Sequence, residues 1–144
     1  MLKIENICKT FNQGTVNEKK ALIDVSLHIK PGDFITVIGG NGAGKSTMLN
    51  AIAGVYPVES GSILLEEQDI TRLPEHKRAR MLGRVFQDPM MGTAANMGIE
   101  ENLAMALRRG KNRGLGWGIT KEERETYVEK LKLLDLGLEN RLKS

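Results

Sequence analysis

One cysteine, two histidines and four prolines are all that this chain of 144 residues holds of those types, and aromatic residues make up only 4% of it. A lone thiol, Cys8, forms no internal disulfide and no cysteine metal cluster, and it suits a reducing compartment. No apolar run approaches the roughly 20 residues that a membrane-spanning helix needs. The opening Met1-Leu2-Lys3-Ile4-Glu5 alternates like a strand and lacks the apolar core of a signal peptide. Scarce proline and the absence of any repeat exclude collagen-like and proline-rich linker sequences. The scarcity of aromatics removes the stacking platforms that single-stranded nucleic acid binders use.

What is present is ordinary for a globular protein: 40% hydrophobic and 27% charged residues, with a formal net charge of +3. This length matches a single domain of common size, with surface enough to bury a core without staples. The isoelectric point near 9.1 raises the question of nucleic acid. Its excess sits in Arg72, Lys77, Arg78, Arg80 and Arg84, and again in Arg108, Arg109, Lys111 and Arg113. Acidic residues (18) nearly balance basic ones (21), so these stretches read as solvated faces or partner contacts. No nucleic acid partner is expected.

Alternation over Leu2 to Lys9 predicts a strand, and Phe11 to Glu18 reads as a polar loop. Ile23, Val25, Leu27 and Ile29 alternate with Asp24, Ser26, His28 and Lys30, which predicts a second strand with one wet face. Pro31-Gly32-Asp33 turns the chain. Phe34 to Ile38 is a continuous apolar run, as in a strand buried on both faces of a parallel sheet. Met48, Leu49, Ile52 and Ala53 fall at helical spacing, with Gly54 as a stop. Ser60-Gly61 reads as a turn, Ile63 to Leu65 as a short strand, and Pro74 as the first turn of a helix reaching about Leu82. Val85-Phe86 reads as a strand end closed by Asp88-Pro89. Ile99 to Leu107 predicts a helix, Gly110 to Gly118 a connector, and Thr120-Lys121-Glu122-Glu123 a capping box opening a helix through Leu134.

Between the apolar run and the first helix stand Gly39, Gly40, Asn41, Gly42, Ala43, Gly44, Lys45, Ser46 and Thr47. They match the phosphate-loop pattern G-x-x-x-x-G-K-[ST] in the context its mechanism needs. Small residues let successive N–H groups turn inward as an anion nest, and the helix start adds its positive end. Lys45 can reach the outer phosphates, the Ser46 hydroxyl can take a Mg²⁺ position, and Thr47 can bond an inner phosphate. The bland alternative is a glycine-rich turn that binds nothing.

GNGAGKST, preceded by FITVIG, resembles the Walker A segment of ABC-transporter ATP-binding subunits. LKIENICKTF is similar to that family's first strand entering its adenine-stacking loop, which implies a stacking role for Phe11 with Val16 alongside; a core role for Phe11 is the alternative. GRVFQDP resembles the family's Q-loop and implies that Gln87 approaches Mg²⁺ and the attacking water; an ordinary strand end with a proline turn is the alternative. GSILLEEQDIT resembles a hairpin of the family, which turns Glu66 and Glu67 to solvent. MGIEENLAMAL and the tail to LKLLDLGL resemble the start of its helical subdomain.

The resemblance implies an α/β P-loop nucleoside triphosphate hydrolase of ABC type. It would have an N-terminal antiparallel β subdomain and an incomplete parallel core sheet over about residues 1–96, then the start of a helical subdomain over about 97–144. ATP and Mg²⁺ are the implied ligands, with Lys45 and Gln87 as catalytic residues and Ser46 and Gln87 at the metal. No LSGGQ-like signature, Walker B strand or switch histidine occurs. His28 lies on a wet strand face and His76 in a basic helix. The chain is therefore expected to be a fragment that does not turn over ATP by itself, with edges and an apolar face left uncovered. The intact subunit is expected to couple ATP hydrolysis to solute transport, with uptake favoured. It would sit in the cytoplasm on the inner membrane face, with a transmembrane subunit and a second ATP-binding subunit as partners. A soluble ABC-type ATPase of translation or DNA maintenance, or a non-hydrolysing nucleotide-binding fragment, is the alternative. The Phe11 and Gln87 constellation disfavours GTPases and small-molecule kinases.

Overall fold

The computed structural model describes residues 1–111 and 118–142, so most of the connector expected over Gly110 to Gly118 lies outside the described residues. Two compact units are present, Met1–Leu82 and Gly83–Ser144. In the first, strands β1 (Leu2–Phe11), β2 (Lys19–Ile29), β3 (Ser60–Leu65) and β4 (Gln68–Asp69) form one sheet in the order β2-β1-β3-β4. Every pairing is antiparallel. Helix α1 (Lys45–Ala53) buries Met48 and Ala51 with Ile4, Ile7, Leu22, Ile63 and Ile70. Its stop at Gly54 is as expected: Gly54 adopts the left-handed conformation and its N–H reaches the Ala51 carbonyl. Glu66 and Glu67 are exposed at the tip of the β3–β4 hairpin, both with positive φ.

Strict alternation fails at two places, and both are bulges. Ile4 and Ile7 are both buried although three residues apart. Asn6 takes φ 48° between them and the ladder shifts register there, which returns Ile7 to the core face. Gly61 accepts this bend: a Cβ on it would lie 2.3 Å from the Glu5 carbonyl oxygen. Ser60-Gly61 is thus part of β3, and close approach to β1 explains its glycine better than a turn does. In β2 the ladder runs from Ile7↔Val25 to Lys9↔Leu22, three residues against two. Asp24 has φ 51° and its N–H donates to Cys8 Sγ at 3.3 Å. As a result Leu22 enters the core and Ile23 stands 68% exposed. Cys8 is half-buried beside the bulge, outside the core cluster.

Other expectations are corrected. Phe34 to Ile38 forms no strand, and Phe34 is 95% exposed. An extended run becomes a strand only through a neighbour that pairs its N–H and C=O groups, and none of the described residues supplies one. Val85-Phe86 is likewise unpaired, with Val85 in solvent and the Arg84 guanidinium 4.4 Å from the Phe86 ring centroid. The parallel core sheet is accordingly absent among the described residues. The helix after Pro74 is a single turn, α2 (Glu75–Arg78), with Pro74 as its N-cap. Beyond it the chain continues in looser turns, Met81 N–H donating to the Arg78 carbonyl. Arg78 itself leaves the solvated basic stretch and is buried.

The second unit holds a 3₁₀ turn at Pro89–Gly92, α3 (Ile99–Leu107) and α4 (Lys121–Lys132). The capping box is formed as read: Glu123 N–H donates to Thr120 Oγ1 at 3.2 Å and Thr120 N–H to Glu123 Oε2 at 2.9 Å. Arg108 and Arg124 carry the α3–α4 contact through Glu123 and Glu100. The Arg108 guanidinium, with the Thr120 N–H, holds the Glu123 carboxyl below its ordinary pKa. Ala104, Tyr127 and Leu131 are buried between the two helices. None of the described helices is long and apolar enough to cross a membrane.

The bulges make opposite predictions for two isoleucines. Ile7→Ala should cost about 2–5 kcal/mol by opening a cavity, whereas Ile23→Thr should stay within about 0.5 kcal/mol. Urea unfolding of the two variants measures both; equal losses would contradict the register.

Candidate functional site: the loop before helix α1

Residues 39–44 carry the chain from the unpaired apolar run into α1. Gly42 (φ 81°) and Gly44 (φ 86°) both occupy the left-handed region. Gly44 is also pressed against β2, where a Cβ would stand 2.5 Å from the Ala21 carbonyl oxygen. The loop is thereby seated on the sheet, and α1 starts at a fixed place. Gly44 brings no capping side chain, and no acidic residue occupies the first turn of α1. The N–H groups of Lys45, Ser46 and Thr47 stand ahead of the first helical carbonyl they could reach. They meet the positive end of the helix dipole there. Uncapped donors without a nearby carboxylate suit an anion.

Lys45 is half-buried, and its ammonium folds back over the loop, donating to the Gly39 carbonyl at 2.5 Å and the Gly40 carbonyl at 2.8 Å. Ala43 N–H closes a turn onto the Gly40 carbonyl at 3.3 Å. A phosphate in the cradle would compete with these carbonyls for a cation already in place. Ser46 is exposed and Thr47 half-buried. Among the described residues no cluster of three or more His, Cys, Asp or Glu could hold a metal by itself. That donor set fits Mg²⁺ only as a partner of phosphate, with Ser46 Oγ and waters completing the shell, the usual habit of this ion.

Phe11 ends β1, half-buried, with its ring edge-on to Tyr56 at 5.2 Å between centroids. The Lys9 ammonium lies 5.6 Å from the Phe11 ring centroid. Val16 is fully exposed in the loop that follows. Gln87 is exposed in the second unit, just before Asp88, whose carboxylate accepts from Met90 N–H at 2.9 Å.

Sequence reasoning missed Lys19. It pairs with Phe11 across the β1–β2 ladder. Its ammonium lies 3.4 Å from the point where a side chain on Gly42 would begin. The ladder thus joins the aromatic at the end of β1 to the phosphate-type loop through a second cation. Only the register reveals this, because Lys19 and Lys20 are equivalent in the sequence and just one of them opposes Phe11 at that point.

The comparisons with known proteins concern the chain's family. A family model described as ABC transporter matches residues 22–143. The chain is 43% identical over 111 residues to the tyrosine transport ATP-binding protein of Clostridioides difficile (strain R20291), covering 77% of this chain and 44% of that protein. It is 35% identical over 111 residues to the spermidine/putrescine import ATP-binding protein PotA of Haemophilus influenzae, covering 77% of this chain and 27% of that protein. The chain therefore spans less than half the length of these curated relatives. Among solved structures it is similar to the dimeric ATP-binding cassette MJ0796 bound to ADP and Pi, with a TM-score of 0.77 and 30% identity over 99% of this chain and 60% of that one.

The glycines of the loop separate by their surroundings. Gly44→Ala should lose about 1–3 kcal/mol from backbone strain alone, with the Ala21 clash added. Gly40→Ala, which points into open space, should stay within about 0.5 kcal/mol. Thermal and urea unfolding compare them, and similar losses would contradict the seating of Gly44 on β2.

Proposed function

The chain belongs to the ABC transporter family, and from that membership we propose that the Gly39–Thr47 loop binds the phosphates of Mg-ATP. The observation that carries the proposal is the uncapped start of α1 beside the Lys45 ammonium. Lys45 exchanges the Gly39 and Gly40 carbonyls for phosphate oxygens, which are better partners because the bond becomes charge-assisted on both sides. The uncapped amides of Lys45, Ser46 and Thr47 donate to the same anion and need no movement of charge to do so. Lys19 adds a second countercharge at Gly42. Ser46 Oγ would hold Mg²⁺ together with the phosphates, and the ion would supply charge neutralisation there. Phe11 offers a flat apolar face to adenine, with Val16 alongside, and Tyr56 fixes the angle of its ring. For Gln87, in the second unit, the family resemblance implies an approach to Mg²⁺ and the attacking water.

In the whole protein we assign to this stretch the phosphate-gripping part of a transport ATPase, working with a transmembrane subunit and a second ATP-binding subunit at the inner membrane face. Relatives named for tyrosine transport and for spermidine/putrescine import support solute uptake. A general base and a signature loop, which catalysis of this type requires for positioning and charge, are not encoded within the 144 residues.

Lys45→Ala should weaken Mg-ATP binding by roughly ten- to hundredfold, the worth of a charge-assisted contact. Titration calorimetry reads this, and equal affinities would remove Lys45 from the site. Phe11→Ala should cost ATP roughly tenfold, within the range of one base–aromatic stack, and leave inorganic triphosphate unchanged. Equal losses for both ligands would assign Phe11 to packing against Tyr56 alone.

A further inference from the structure

Of the five cations between Arg72 and Arg84, Arg78 is only 2% exposed. Its guanidinium is spent on backbone carbonyls. Nη1 donates to Ala51 and Ile52 at 2.8 Å each, Nη2 to Thr71 at 2.8 Å, and Nε to Leu73 at 2.7 Å. Four of the five donors a guanidinium carries are thus engaged. Ala51 and Ile52 belong to the last turn of α1, where carbonyls run short of helical donors; the Ala51 carbonyl accepts from the Gly54 N–H as well as from Arg78. A cation there also opposes the negative end of the helix dipole. Burial pushes the Arg78 pKa down and Asp69 pushes it back up; arginine stays charged in either case.

Gly54 makes room for this arrangement. A Cβ on Gly54 would lie 2.9 Å from Arg78 Nε and 3.2 Å from Cζ. The residue that ends α1 is therefore the one that lets the guanidinium reach its last carbonyls. Thr71 and Leu73 are anchored in turn: Thr71 Oγ1 accepts from Ile63 N–H at 2.8 Å, and Leu73 packs on the core. One side chain fastens the far end of α1 to the segment after β4, which Thr71 in turn ties to β3.

Helix α1 presents its other end to the loop. It is nine residues long, so a tilt at Ala53 moves Lys45 by a comparable arc, and amides aimed at an anion lose aim together. We infer that Arg78 is a positioning residue for the phosphate loop, holding the C-terminal end of α1 so that its N-terminal amides and Lys45 stay aimed at the nucleotide phosphates. This rests on the reading of the loop as an Mg-ATP site. A lysine cannot replace the fork, because a point ammonium cannot serve four carbonyls on two segments.

The test compares Arg78→Lys and Gly54→Ala with Gly32→Ala in the full chain. Gly32 also has positive φ (84°) but faces open space, so it carries backbone strain without crowding a guanidinium. Mg-ATP affinity is read by calorimetry, and exchange of the α1 amides is read without nucleotide. Arg78→Lys and Gly54→Ala should each weaken Mg-ATP by about tenfold and speed α1 exchange by more than tenfold. Gly32→Ala should lower the melting temperature and leave both readings within twofold. Should Arg78→Lys fail to fold, Gly54→Ala carries the same comparison. Affinity and α1 exchange that track melting temperature across all three variants would overturn the positioning role. A wild-type chain that binds no Mg-ATP would overturn the reading of the loop instead, with the exchange data still judging whether Arg78 holds the helix.

Discussion

Helix α1 is useful only if it begins at one place, and that place is set by Gly44 lying against the Ala21 carbonyl of β2. The contact is closer than any side chain permits, so the strand and the loop cannot drift apart without losing the entry to the helix. The uncapped amides and the Lys45 ammonium take their positions from it, and the β1–β2 ladder brings the second cation, Lys19, to the same loop. The antiparallel sheet acts here as the base plate for a loop that approaches from outside it.

A short helix held at one end still pivots. In this chain the other end is held as well, by Gly54 and the buried guanidinium of Arg78. The two glycines do related work at opposite ends: each lets a polar group come closer than a Cβ would allow. Hydrophobic contact through Met48 and Ala51 supplies the bulk of the attachment. Apolar packing has little directionality, so the aim of the amides depends on the hydrogen-bonded ends.

The sequence was most legible where a local rule decides the outcome. The capping box at Thr120 and Glu123, the span of α3 and the stop at Gly54 depend on residues within a few positions of each other, and all three are formed. The phosphate-loop pattern belongs to the same class, because its spacing is fixed by the path of one short loop. Reading failed where a neighbour in space decides. Ile23 looked like a core residue, yet the bulge at Asp24 sends Leu22 inward instead. Ser60-Gly61 looked like a turn, although its glycine answers the bend at Asn6. Arg78 looked like one more surface cation in a basic stretch. Phe34 to Ile38 carries the composition of a buried strand but finds no partner among the described residues.

The family was therefore legible in the order of residues alone, since G-x-x-x-x-G-K-S encodes its own backbone path and carries its own cation. Tertiary structure decided which lysine faces that loop, which isoleucine is buried, and that an arginine holds the far end of the helix. Those outcomes depend on strand register and on close approach between segments tens of residues apart. A one-residue slip in a ladder exchanges the two faces of a strand, and nothing in the local sequence of either strand records which partner residue it will meet.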